Sequence, residues 1–395
     1  MSSIGKRWAE LAGAAAFCLS FAQGLQAQTG PVSEFRKLAE NVYAYVGKNN
    51  DANAMAIVTS QGVVIADTGN NQPETRAFSK FIAGVTSQPV RYVVITQNHG
   101  DHIGGTPYFS PPAMLVVHNR VAEDLKKLKP YQVRSWRKRF PERAADLANF
   151  SPLDAAITFD TNMTLELGGT RIEIIYPEDR YNPCDVLVWL PQTRVLHASF
   201  GGYKDRHPDI RPDYSHGTTA GMLKQIEAAI ALKPAVVVPA HGPIGDVRDL
   251  HVMIDYLTIA RRKVSAMIAQ GMGLEAIKAK FEMNEFSTWD RKSHIPWLAA
   301  TLWRELRGEG PQATVYQDRE ATGVVENVRE EGRYLQLKTQ DGAALRLRVT
   351  SSSDIEGVPD RSRLTAGIRV RVVYEVPDGQ EAALGFDVQE LEILR

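Results

Sequence analysis

The feature that most constrains the fold is an alternation of short apolar runs with helix-like segments between residues 32 and 242. The run RYVVITQ (91–97) is nearly continuous in apolar residues, as expected for a buried strand. The segments 74–85 and 219–232 carry apolar residues at helical spacing. Further β-branched runs predict strands at 41–47, 53–59, 62–69, 114–119, 171–177, 185–191 and 235–242. This alternation predicts a layered α/β domain.

The pattern changes twice further along the chain. Residues 248–308 are mostly helical in pattern, and the composition shifts at GEGPQ (308–312). Beyond it, the runs TGVVENV, YLQLKTQ, ALRLRVT and IRVRVVYEV alternate in twos and include Asp-Gly turns. We therefore predict one domain over 32–308 and a small all-β domain over 313–395. An OB-like or SH3-like barrel with a structural or interaction role is expected for the second.

The N-terminus has the pattern of a secretory signal peptide. Lys6 and Arg7 precede an apolar stretch at 11–22, and the small residue Ala27 follows at the expected cleavage position. Twelve residues are too few to span a bilayer, which needs about 20. The prediction is a signal peptide over 1–27, a periplasmic or secreted protein, and no transmembrane segment in the mature chain. An uncleaved membrane tether is the alternative.

The charge balance bears on which partners to expect, and the cysteine content bears on disulfide bonds. Lys plus Arg and Asp plus Glu both number 46, so the net charge is zero and no nucleic-acid partner is expected. After removal of the signal peptide a single cysteine, Cys184, would remain, which excludes an internal disulfide.

Three side chains with metal-ligating chemistry lie within four residues in NHGDHIGG. His99, Asp101 and His102 directly follow the strand predicted at 91–97, and the neighbouring glycines permit a tight backbone. Imidazole and carboxylate are zinc ligands, and a catalytic zinc site has three protein ligands and a water. His241 ends a second predicted strand in VVVPAHG, and strand ends that meet at one sheet edge form ligand sites in α/β folds.

Asp67 ends another predicted strand, in VVIADTG. Its carboxylate could orient a ligand histidine through a hydrogen bond, or cap its own turn, and the two roles are compatible.

The order of these landmarks resembles that of the metallo-β-lactamase superfamily of zinc hydrolases. The sequence shows DTG (67–69), then a variant Q-x-H-x-D-H-x-G-G loop, then VWLP (188–191) and PAHG (239–242). The resemblance covers roughly residues 35–305. It implies a four-layer αββα sandwich with the metal site at one edge between the sheets, followed by helices like those of periplasmic members.

The resemblance also implies the ligand set. The family's first site uses three histidines. Here Gln97 stands at the first of these positions, His99 matches the second, and Tyr181 stands at the third. Phe200 stands where a bridging Asp or Cys is expected. The second site keeps its three ligands, which are Asp101, His102 and His241. The expectation is one zinc ion on these three, with Gln97 and His99 lining the pocket or completing a weak second site for a second ion.

Other side chains could replace the missing ligands. Cys184 follows Tyr181 by three residues and is either a thiolate ligand or a buried small hydrophobe. The remaining candidates, each with an ordinary structural role as the alternative, are Glu178, Asp179, His197, His207 and His216.

Residues 120–143 hold nine Lys or Arg against three Asp or Glu. This segment could be a flap that holds an anionic substrate, or a solvated helical face.

The sequence thus leads to two functional hypotheses. The first is an exported zinc hydrolase in which Asp101 is a catalytic residue and an activated water attacks a small-molecule ester, thioester or amide. β-Lactams are one candidate substrate class among several. The second is a catalytically weakened binding or accessory protein that keeps the pocket of the fold.

Overall fold

The computed structural model describes residues 34–47, 52–69, 72–109, 113–127, 155–177, 184–211, 218–309, 316–377 and 386–394. The predicted signal peptide, Tyr181, Glu178, Asp179 and His216 lie outside these ranges, as does most of the basic segment 120–143. In the described part of the chain, no helix has both the length and the apolarity that a bilayer span requires.

The first sheet has seven strands whose order in space follows their order in the chain. Its first four strands pair antiparallel and the last four pair parallel. The strands are β1 (Glu34–Ala39), β2 (Val42–Val46), β3 (Ala54–Thr59), β4 (Gly62–Ala66), β5 (Val90–Ile95), β6 (Met114–His118) and β7 (Ile157–Phe159).

The second sheet has five strands in the order β12-β11-β10-β9-β8, and only β11 and β12 pair parallel. The strands are β8 (Met163–Leu167), β9 (Thr170–Ile175), β10 (Leu187–Leu190), β11 (Val195–His197) and β12 (Val236–Val238).

Eight α-helices are described. Those that follow the first-sheet strands are α1 (Gln72–Val85), α2 (Gly100–Ile103), α3 (Thr106–Phe109) and α4 (Asn119–Lys127). Those that follow the second-sheet strands are α5 (Thr219–Ala231), α6 (Val247–Ala269), α7 (Leu274–Lys280) and α8 (Ile295–Leu306). The long helix α6 begins at Asp246, which forms a capping box with Asp249.

Three apolar clusters hold the layers together. One joins α1–α4 to the outer face of the first sheet, a second lies between the sheets, and a third joins α5–α8 to the outer face of the second sheet. Strand β10 contributes to two of these clusters because its side chains alternate between the two faces of the sheet. Leu187 and Trp189 lie in the helix-facing cluster, whereas Val188 and Leu190 lie in the inter-sheet cluster. All four are buried, which explains the unbroken apolar run. The predicted four-layer αββα sandwich followed by helices is confirmed.

The C-terminal region is a closed five-stranded barrel in the order β13-β14-β15-β17-β16. Its strands are β13 (Tyr316–Arg329), β14 (Tyr334–Thr339), β15 (Ala344–Glu356), β16 (Arg369–Pro377) and β17 (Phe386–Ile393). Alternate residues such as Leu335, Leu337, Leu345 and Leu347 fill the interior. The all-β prediction is therefore confirmed.

Candidate metal centre

Strand ends from both sheets deliver the polar residues of the site. Asp67 follows β4, and Gln97 follows the neighbouring parallel strand β5 by two residues, so both leave the same sheet edge. His241 follows β12 of the second sheet. Such an edge is where α/β folds place their ligand sites.

Asn53 fixes the His241 loop to the first sheet. Its side-chain amide donates to the carbonyl oxygens of Pro239 and Gly242, both at 2.9 Å, and its backbone N–H donates to the Ala240 oxygen at 2.8 Å. Gly242 has φ +96°, and a Cβ there would collide with the backbone oxygen of Lys204. The position therefore requires glycine.

Asp67 is the buried anchor of the site. Its carboxylate accepts from the Thr96 backbone N–H at 2.8 Å and from the Thr96 hydroxyl at 2.7 Å. Its Oδ2 lies 2.6 Å from His102 Nδ1 and 3.5 Å from His197 Nε2. Burial alone would raise the pKa of Asp67, but the charge and hydrogen bond of His102 outweigh it and lower the pKa. Asp67 is therefore ionised and holds the His102 ring.

His102 is fully buried between Asp67 and Gln97. Burial would lower its pKa, but the negative charges of Asp67 and Asp101 outweigh burial and raise the pKa of His102 to about 9. Its Nε2 lies 2.6 Å from Gln97 Nε2. At neutral pH the metal-free ring therefore carries a proton on each nitrogen, and Nδ1–H donates to Asp67. A metal ion would displace the Nε2 proton and leave a lone pair on that atom. Nε2 is thus the atom left for a ligand.

Asp101 and His102 lie in the first turn of α2, which begins directly after His99. Asp101 Oδ2 is 3.1 Å from His241 Nε2. Burial would raise the pKa of Asp101, but the charge of His102 and the hydrogen bond from His241 lower it well below its usual range. Burial lowers the pKa of His241.

Donor atoms of Asp101, His102 and His241 all lie within 4.8 Å of one another. One carboxylate and two imidazoles at this separation fit a single divalent ion such as zinc, with a fourth position for water. Among the described residues, Asp101, His102 and His241 form the group of three possible ligands whose donor atoms come this close together. His99 and Gln97 lie beside it but are not members.

Aromatic rings occupy the other half of the site. The Phe200 ring lies edge-on to the His99 ring, with centroids 5.6 Å apart. Tyr203 packs on Phe200 at 5.3 Å and on His241 at 5.6 Å. Burial lowers the pKa of His99 to about 4. His99 is therefore a neutral imidazole in contact with Phe200.

The candidate replacement ligands in the described ranges are not members of this group of three. Cys184 is 2% exposed inside the apolar cluster between the first sheet and its helices, which is the environment of a small hydrophobe. His197 contacts Asp67, and His207 Nδ1 lies 2.9 Å from the Tyr256 hydroxyl. These two histidines thus have hydrogen-bonding roles.

The sequence model of the metallo-beta-lactamase superfamily matches residues 48–241. Residues 48–241 belong to the metallo-β-lactamase superfamily. The matched range contains Asp67, the variant loop and His241.

Two curated metallo-β-lactamases are similar to the chain. The type 2 enzyme of Elizabethkingia meningoseptica is 26% identical over 175 residues, covering 43% of this chain and 62% of that protein. The type 2 enzyme of Bacillus sp. (strain 170) is 23% identical over 235 residues, covering 55% and 79%. The chain thus spans less than two thirds of the Elizabethkingia protein.

A solved structure is similar over a longer part of the chain. A stereoselective inverting sec-alkylsulfatase from Pseudomonas sp. matches 71% of this chain and 51% of its own, with a TM-score of 0.53 and 14% identity. This similarity shows a shared fold.

Two residues near the candidate metal centre were not singled out from the sequence. Asp185 is fully buried, and its charge contributes to the raised pKa of His102. Arg206 interacts electrostatically with Asp101 and lowers the pKa of His241. Asp185 begins the strand predicted over 185–191, so a charged residue at the start of an apolar run was the available signal. Arg206 directly precedes the candidate ligand His207.

Proposed function

We propose that the protein is a metal-dependent hydrolase with one zinc ion held by Asp101, His102 and His241. The observation that carries this proposal is the approach of their donor atoms to within 4.8 Å. The buried Asp67 carboxylate supports it, because a carboxylate on the far nitrogen of a ligand histidine fixes the ring and increases its basicity.

Zinc at this position would supply a Lewis acid that activates a water molecule and polarises a carbonyl. Asp67 keeps the His102 Nδ1 proton, so that Nε2 is the coordinating atom. The Gln97 amide must move away from that nitrogen when a metal binds, because both would occupy the same position beside Nε2.

Asp101 orients the nucleophile in the proposed reaction. The charge of His102 and the hydrogen bond from His241 keep the pKa of Asp101 low, so it remains a carboxylate at neutral pH and can accept a hydrogen bond from water. Its Oδ2 also contacts His241. The buried rings of Phe200 and Tyr203 pack beside His99 and offer no metal ligand on that side except the imidazole itself, which favours chemistry with a single ion.

The substrate class proposed is a small ester, thioester or amide that carries a negative charge. Arg206 supports the charge requirement, because its guanidinium lies close enough to Asp101 and His241 to act on them electrostatically. A cation beside the reacting group would hold a carboxylate or sulfate of the substrate.

Export to the periplasm or the medium belongs to the same proposal. It rests on the signal-peptide pattern over residues 1–27. A binding or accessory role is the second candidate, favoured by Phe200 at the bridging position and by the Gln97 amide on His102.

A substrate panel tests the catalytic proposal. Zinc-loaded protein and the same protein after chelation are assayed against matched esters, thioesters, amides and β-lactams with and without a carboxylate. Turnover that requires zinc and favours the anionic members is expected. Full zinc loading without turnover of any panel member would contradict catalysis and favour the binding role.

A further inference from the structure

A cavity of about 460 Å³ opens on the outer face of strands β13–β15 of the C-terminal barrel. The side chains that matter for its chemistry are Asn327, Arg329, Tyr334, Gln336, Arg346 and Arg348. The family match ends at residue 241, so the cavity lies outside the metallo-β-lactamase region.

The strand register arranges these side chains in two rows. Arg329 lies opposite Tyr334, and Tyr334 lies opposite Arg348 on the next strand. The second row is Asn327, Gln336 and Arg346. Neighbouring strands are about 4.8 Å apart and alternate residues along a strand about 7 Å. The two rows therefore place three arginines, one tyrosine and two side-chain amides on one face of the barrel.

Each group has a defined recognition chemistry. Guanidinium binds carboxylate or sulfate through paired hydrogen bonds. The amides of Asn327 and Gln336 both donate and accept, as hydroxyl groups require of a partner. Tyr334 is 40% exposed and offers an apolar ring face. An anionic ligand that is rich in hydroxyls and has an apolar face, such as an acidic sugar, matches the guanidinium groups, the amides and the aromatic ring together.

The positive charge is local to this face. Residues 316–394 contain 15 acidic and 10 basic residues, so the barrel as a whole is acidic. On another part of its surface Arg371 is surrounded by Glu320, Glu390 and Glu392. Glu330 also lines the cavity, and its carboxylate is paired with Arg333 at 3.5 Å.

This distribution disfavours nucleic acid as the ligand. Nucleic-acid-binding domains are basic overall. Single strands also need several aromatic rings for successive bases, whereas Tyr334 is the single aromatic residue among those that line this cavity.

We infer that the outer face of β13–β15 binds an acidic oligosaccharide through Arg329, Arg346 and Arg348, with a sugar ring stacked on Tyr334. The anionic group is a carboxylate or a sulfate ester. The inference is independent of the hydrolase proposal, because it concerns binding alone and other residues.

Isothermal titration calorimetry on the full-length protein tests whether this face binds an acidic oligosaccharide. The probes are trigalacturonate for carboxylates, a chondroitin sulfate tetrasaccharide for sulfates, neutral maltotriose, and a short oligothymidylate. Binding of either acidic sugar supports the inference and identifies its anionic group. Maltotriose and oligothymidylate are expected to bind at least about tenfold more weakly.

The variant Arg346→Ala/Arg348→Ala is expected to weaken binding of the acidic sugar by about tenfold or more. The matched control, Arg319→Ala/Arg363→Ala, removes the same charge at exposed positions outside the cavity and is expected to change affinity less than about twofold. Equal weakening in the two variants, failure of both acidic sugars to bind, or tighter binding of oligothymidylate or maltotriose would overturn the inference.

Discussion

His102 Nδ1 and Asp67 Oδ2 lie 2.6 Å apart, and both side chains are fully buried. The carboxylate also accepts two hydrogen bonds from Thr96, so its position is fixed independently of the histidine. This contact determines which nitrogen of His102 can bind a ligand.

Replacing the carboxylate should weaken metal binding without removing a ligand. Asp67→Asn keeps the size of the side chain but loses the charge that holds the Nδ1 proton. Zinc affinity is expected to fall about 10- to 100-fold, the usual cost of losing such a partner. Competition with a chromophoric chelator measures it. Asp341→Asn, at an exposed turn, is the control, and an equal loss there would contradict the role of Asp67.

Gly242→Ala is expected to lower both zinc affinity and thermal stability. A Cβ at this position meets the Lys204 backbone oxygen, and the φ of +96° is strained for alanine, so the His241 loop must shift. The matched control is Gly271→Ala, where φ is +76° but nothing lies within 4 Å of the new Cβ. The control should lose only stability. Unchanged zinc affinity in Gly242→Ala would contradict the role of this glycine in placing His241.

Arg206→Gln is expected to reduce the preference for anionic substrates. If Arg206 holds the substrate's anion, KM for a carboxylate-bearing ester should rise about tenfold or more while the matched neutral ester changes little. Steady-state kinetics on the pair separates this from a general loss of activity. A parallel decrease in both reactions would assign Arg206 a structural role instead.

The buried His207 should make stability fall in acid. Burial and the positive charges of His294 and Lys292 lower its pKa to about 4, from an ordinary value of 6.5. Folding therefore favours the neutral ring. This stabilisation is complete above pH 6.5 and is lost as the pH falls from 6.5 toward 4, by at most about 1.4 kcal/mol per pH unit.

Chemical denaturation of wild type and His207→Phe between pH 4 and 7 measures this contribution. The variant loses the Tyr256 contact, so its stability is lower, but the decrease between pH 6.5 and 4 should be shallower. His251→Gln, at an exposed position of α6, should keep the wild-type slope. An unchanged slope in His207→Phe would contradict the assignment.

The strands that the sequence predicted are those buried on both faces or strictly alternating. Strand β4, with all five residues buried, and the barrel strand β14 are examples. Strands β1, β7, β8, β11 and β17 were not predicted. β1 (EFRKLA) and β8 (MTLEL) are partly exposed and polar, and β11 has three residues, so their pairing depends on neighbours distant in the chain.

The candidate site also contains features that the sequence could predict and features that it could not. Its strand-end residues, Asp67 and His241, could be anticipated because apolar runs mark where strands end. The contact of the Gln97 amide with His102 Nε2 could not, because it depends on how the short helix α2 turns His102 back toward the strand end. The packing of Phe200 against His99 likewise depends on the approach of the second sheet.

Zinc titration of three proteins tests the central claim most directly. Wild type should bind one zinc ion per chain, and His241→Ala should lose about 100-fold or more in affinity. Gln97→Ala should bind zinc at least as tightly as wild type, because Gln97 competes for His102 rather than completing the ligand set. A wild-type chain that stays zinc-free after repletion, or equal losses in the two variants, would contradict a centre formed by Asp101, His102 and His241.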